Sequence, residues 1–149
     1  MENISGYKLY TRDDETFDLA IRLLGDNKTT TVNRALRFWR SILETKAIGG
    51  YYGFVDPKTS RLKKLDRFQR SFNTHKKLSP NRLHVNLRGK NQEVFEQVII
   101  LGNDNKREAI CRALDAWRDI LEAREANIGI IYKANVRAEP TTAIFVSLL

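Results

Sequence analysis

Asn105–Glu122, NKREAICRALDAWRDILE, is written twice in this chain: Asn27–Glu44, NKTTTVNRALRFWRSILE, precedes it by seventy-eight positions. Ten of the eighteen positions are identical: Asn27/Asn105, Lys28/Lys106, Arg34/Arg112, Ala35/Ala113, Leu36/Leu114, Trp39/Trp117, Arg40/Arg118, Ile42/Ile120, Leu43/Leu121 and Glu44/Glu122. The apolar positions 32, 35, 36, 39, 42 and 43 return as 110, 113, 114, 117, 120 and 121. That spacing of three and four residues is the signature of a helix with one buried face. An amphipathic helix has been duplicated, each copy opening on an asparagine suited to cap its first turn.

What precedes each copy extends the repeat. In Arg82–Gly89, RLHVNLRG, the residues Leu83, Val85 and Leu87 alternate with His84, Asn86 and Arg88. A period of two predicts a strand with one buried and one exposed face. Lys90–Gly102, KNQEVFEQVIILG, predicts a short helix with Phe95, Val98, Ile99 and Gly102 on one face and the glycine at its end. In the first copy, Tyr7–Arg12 predicts a strand with Lys8, Tyr10 and Arg12 facing one way. Asp13, Asp14 and Glu15 then open a helix at the end where negative charge suits its dipole. Its expected inner face is Phe17, Ala20, Ile21 and Leu24, and Gly25 ends it.

Each repeat is therefore strand, short helix, turn, longer helix. Such a unit cannot bury its own apolar surface, which predicts that two copies pack together. The simplest arrangement pairs strand Lys8–Arg12 antiparallel with strand His84–Arg88 and interlocks four helices behind that ribbon, about an internal pseudo-twofold axis. The expected class is mainly α with a short antiparallel β-ribbon, a pseudo-dimer in a single chain. Repeat 1 spans 7–48, a basic linker 49–81, repeat 2 spans 82–126 and a C-terminal extension 127–149.

Composition narrows the partner. A formal net charge of +8 and a pI near 9.8 favour a polyanion, either nucleic acid or an anionic membrane surface. No apolar run approaches a membrane span, and the first twelve residues lack the layout of a signal peptide. The expectation is a cytoplasmic protein with no membrane association. Cys111 is the sole cysteine and falls beside the apolar stripe, where packing is its natural role. There is no glycine-rich phosphate loop and no nucleophile motif. The two histidines, His75 and His84, offer no ligand set for a typical zinc site. The residues point to no metal, no cofactor and no catalysis.

HVNLRG followed by an amphipathic helix, a polar turn and NKREAICRAL resembles the ribbon-helix-helix superfamily, to which the methionine and Arc repressors belong. The resemblance covers 7–46 and 82–124. It implies that two strands form a ribbon entering the major groove of double-stranded DNA, where outward residues read base edges. By position these are Lys8, Tyr10 and Arg12 with His84, Asn86 and Arg88. It also implies a DNA phosphate clamped at the start of each longer helix, which involves Asn27, Lys28, Thr29, Asn105, Lys106 and Arg107. The implied function is a transcription regulator, a repressor, of a prokaryotic cell, plasmid or virus. The residue chemistry agrees: Arg pairs bidentately with guanine and Asn with adenine.

Tyr51–Asn81 carries Lys58, Arg61, Lys63, Lys64, Arg67, Arg70, Lys76 and Lys77 against Asp56 and Asp66. Leu62, Leu65, Phe68 and Phe72 predict a basic amphipathic helix, with Lys63, Lys64, Arg67 and Arg70 as further phosphate contacts. GYYGF and GIIYK, which follow the longer helices, read as short strands or extensions. Ala143–Leu149 is nearly all apolar, so it folds back on the core or enters a protein partner. Two rival functions follow: an antitoxin-like DNA-binding protein whose tail neutralises a toxin, and an architectural or replication accessory protein with little sequence preference. Assembly of several such units along DNA suits each reading.

Overall fold

All twelve apolar positions of the duplicated stretch are buried, from Val32 through Leu43 and from Ile110 through Leu121. The structure, a computed structural model, describes residues 4–10, 14–55, 62–64, 82–125, 130–135 and 142–145, with side chains for 14–49 and 83–125. The order is β1 (Ile4–Tyr10), α1 (Asp14–Leu24), α2 (Lys28–Ala47), β2 (Gly50–Val55), β3 (Leu62–Lys64), β4 (Arg82–Arg88), α3 (Lys90–Gly102), α4 (Lys106–Glu125), β5 (Ile130–Asn135) and β6 (Thr142–Phe145). The fold is mainly α, as the periodicity predicts.

Adding 78 to the bounds of β1 gives those of β4, and adding 78 to α2 gives α4. The spacing found between the helices therefore holds back through the strands without insertion. β1 and β4 pair antiparallel, with Tyr7 opposite Val85 at the centre. Those two residues are themselves seventy-eight apart, so the pseudo-twofold axis passes through that pair. The halves are interlocked: α1 packs chiefly on α4, α3 on α2, and the two long helices on each other. Phe17, Phe95, Trp39, Trp117 and the inward Leu83, Val85 and Leu87 form one shared core. Burying each such side chain is worth ~1.5–3 kcal/mol, which offsets the cost of ordering two units that cannot fold alone.

Both long helices begin identically. The Asn27 Oδ1 accepts from Thr30 N–H at 2.8 Å, and the Asn105 Oδ1 accepts from Glu108 N–H at 2.8 Å. Just ahead, Asp26 meets Arg34 at 3.0 Å and Asp104 meets Arg112 at 3.1 Å, an ion pair repeated at the same spacing. The helices that precede them end differently from the expectation. Gly25 takes the left-handed conformation after α1 (φ 70°), but after α3 that position is Asn103 (φ 52°), and Gly102 is still helical. Asn tolerates this conformation because its side chain is short and polar.

Three other expectations differ. Ile21 is 53% exposed, because Thr16, Phe17 and Ala20 set the buried face of α1 and Ile21 lies a further 100° round from Ala20. β1 already runs at Ile4, four residues before the expected start at Lys8, and is described to Tyr10, with Arg12 outside the described residues. Leu62–Lys64, expected to begin a basic helix, is instead strand β3, paired with β2 from Gly53 to Val55. The rest of that expected helix lies outside the described residues.

β3 belongs to a second sheet of order β3-β2-β5-β6. Its inner strands are the elements next after α2 and α4 among the described residues, and each carries an outer strand from its own half. The order is thus symmetric about the β2/β5 pair. The stretches expected as a linker and a tail contribute matching strand pairs, β2–β3 and β5–β6, all antiparallel. Within the tail, Thr142–Phe145 returns to pair with Ile130–Lys133.

Candidate nucleic-acid interface

β4 alternates as its sequence requires: Leu83, Val85 and Leu87 are buried, while His84, Asn86 and Arg88 are exposed. Directly opposed residues of an antiparallel pair share a face. Lys8 is opposite His84, Gly6 opposite Asn86, Ile4 opposite Arg88 and Tyr10 opposite Arg82. The register therefore puts Lys8 and Tyr10 on the face of His84, Asn86 and Arg88. Arg12 lies outside the described residues.

Three positions on this face were missed from sequence: Arg82, Gly6 and the apolar Ile4, which lies opposite Arg88. Arg82 shares it by alternation, and only the choice of His84 as the strand's start hid it. Gly6 lies across from Asn86 near the centre, so this part of the face presents backbone rather than side chain on one strand. A flat centre beside a long polar side chain lets a partner surface approach closely. Neither strand, ISGYKLY or RLHVNLR, carries a carboxylate.

The other predicted residues divide into two places. Asn27, Lys28 and Thr29 open α2, and Asn105, Lys106 and Arg107 open α4. First-turn N–H groups point outward along a helix axis and carry its positive end. The Asn side chains are used for capping, which leaves anion binding at these ends to backbone N–H groups and to the basic side chains beside them. Lys28 is exposed, with its Nζ 5.8 Å from the centre of the Phe17 ring. Lys63 and Lys64 sit in β3, in the second sheet and not in the ribbon, while Arg67 and Arg70 lie outside the described residues.

Among the described residues, no three His, Cys, Asp or Glu side chains gather as a metal site, and no helix is long and apolar enough to cross a membrane. Comparison with protein-family models, curated proteins and solved structures gives no match.

Proposed function

We propose that this chain is a sequence-specific double-stranded DNA-binding regulator of the ribbon-helix-helix kind, a repressor that inserts its β1–β4 ribbon into the major groove. The observation that carries the reading is the ribbon's outer face: Lys8, Tyr10, Arg82, His84, Asn86 and Arg88 in one register, with no acid in either strand. A face kept merely soluble mixes both signs of charge. This one offers donors suited to guanine and a bidentate amide suited to adenine. The basic, N-terminally capped ends of α2 and α4 supply phosphate anchors that fix orientation without reading sequence.

The two strands have different outer residues. A homodimer repeats one strand and favours a palindrome, whereas this ribbon favours an asymmetric site. Selection of bound duplexes from a random pool tests the reading, using wild type and Asn86→Ala with Arg88→Ala. The expected result is a short asymmetric motif that the double variant loses, since each bidentate contact contributes about 1–3 kcal/mol of discrimination. Equal binding of all duplexes by both proteins would overturn base reading and favour the architectural role. The toxin-binding rival needs an available tail, and Thr142–Phe145 is already paired within its own sheet.

A further inference from the structure

The duplicated halves share one helical plan, so a place where one half is open and its counterpart carries larger side chains is informative. Between the C-terminal end of α2 and the end of α3 lies a groove of about 400 Å³, lined by Trp39, Leu43, Leu101, Gly102, Asp104 and Arg112, with Lys46 and Ala47 at the α2 end. The equivalent place in the other half, seventy-eight positions away, carries larger side chains. There Leu24 stands where Gly102 stands here, and Leu24 packs on the core. Arg22 and Glu125 form an ion pair of 2.7 Å across it, and their equivalents here are Ile100 and Ala47, which cannot pair. With these three differences Leu101 is 44% exposed, whereas its counterpart Leu23 is half-buried.

The glycine also bears on the groove's polar end. A Cβ on Gly102 would lie 2.9 Å from Asp104 Oδ2, so any side chain there would crowd the carboxylate and make it shift. The Asp104 side chain is 5% exposed, and its Oδ1 meets Arg112 Nε at 3.1 Å. Oδ2 is buried with no hydrogen-bond donor. The neighbouring Glu108 side chain is itself a carboxylate and brings no N–H to it. A buried acceptor left unsatisfied costs about 1–3 kcal/mol, and a donor brought by a ligand would recover that.

We propose that this groove binds a small apolar primary amine, free or as the ammonium group of an amino acid. Its nitrogen donates to Asp104 Oδ2 and its apolar body lies on Trp39, Leu43 and Leu101. The sign of charge follows from the oxygen itself. Arg112 is engaged by Asp104 Oδ1, and Oδ2 is a buried carboxylate acceptor turned to the groove. A cationic nitrogen is then the donor that fits the unpaired oxygen best.

The two tryptophans make the test direct. Trp39 lines the groove, and Trp117 is its counterpart in the other half. In ¹H–¹⁵N spectra of the full chain without DNA, the Trp39 indole signal is followed while 2-phenylethylamine, phenylalanine or 3-phenylpropanoate is added. The expected result is saturable movement of Trp39 by the amine with Kd below ~1 mM, while Trp117 stays still. Asp104→Asn is expected to weaken this about tenfold or more, the weight of one hydrogen bond to a charged group. Gly102→Leu, which brings in the side chain of the other half, is expected to abolish it. An unmoved Trp117 signal in each variant shows that the fold is retained. Phenylalanine binding as well as the amine would identify an amino-acid site; the amine alone would identify free amines. No movement of Trp39, binding of 3-phenylpropanoate as tight as that of the amine, or retained binding in Gly102→Leu would overturn the proposal. Because DNA is absent, the result is independent of whether the ribbon reads bases.

Discussion

Asp104 is where burial and charge oppose each other most sharply among the described side chains. Burial pushes its carboxyl above the ordinary value of 3.8; the Arg112 charge and hydrogen bond pull it back, and the neighbouring Glu108 carboxylate pushes it up again. The net shift is upward, so the folded chain holds this proton more tightly than the unfolded chain does. The stabilising contribution is complete below pH 3.8 and is lost as pH rises through the raised value. Wild type should therefore lose stability relative to Asp104→Asn as pH rises from 3.8 through the raised value, measured as the difference in urea unfolding free energy. A difference that stays constant, or moves in favour of wild type, contradicts this account. None of it was legible in sequence. The string GNDNK shows a polar turn, but the burial of its aspartate against Arg112 follows from how the helices pack, as does that of Asp26 against Arg34 in the other half. Ile21 shows the same limit, since it passes for an inner-face residue until the packing partner of α1 fixes which way the helix is turned.

At the scale of elements, the helices could be read in advance because a six-position apolar stripe has only one consistent face, and the strand of β4 because three buried and three exposed residues alternate without exception. Leu62–Lys64 could not. Its apolar residues at 62, 65, 68 and 72 fit a helix, and a three-residue strand has too little sequence to announce itself against pairing supplied by β2. The starts of α2 and α4 carry an elemental prediction. If they hold phosphates, Lys28→Ala with Lys106→Ala should reduce the slope of log affinity against log salt by ~0.9 for each phosphate no longer neutralised. An unchanged slope would remove the helix ends from the interface. The same measurement on Lys63→Ala with Lys64→Ala decides whether the second sheet also touches phosphate, a shallower slope bringing β3 to the DNA and an equal one excluding it.

For the whole molecule, the chief fact is that neither half is a unit. Each two-stranded contact on the axis, β1 with β4 and β2 with β5, takes one strand from each half, and each short helix packs mainly on the other half's long helix. Unfolding should therefore be a single cooperative transition despite the two repeats. Trp39→Phe and Trp117→Phe leave one indole in each half; in both variants the fluorescence and circular dichroism midpoints should coincide. Separated midpoints would mean that the halves melt independently. Duplication was legible from the helices, and GYYGF and GIIYK were legible as candidate strands after them, whereas their pairing and the outer strands β3 and β6 were not, because short strands carry too little pattern to name their partners.

The placement of β1 and β4 in one chain also fixes how the ribbon responds to abundance. A ribbon shared by two chains must first be assembled, so at low copy number its concentration falls with the square of the chain's and dilution takes it apart. Here it arises by folding. Every folded molecule carries one complete ribbon, its amount rises in direct proportion to synthesis, and the last few copies in a cell are as complete as the first.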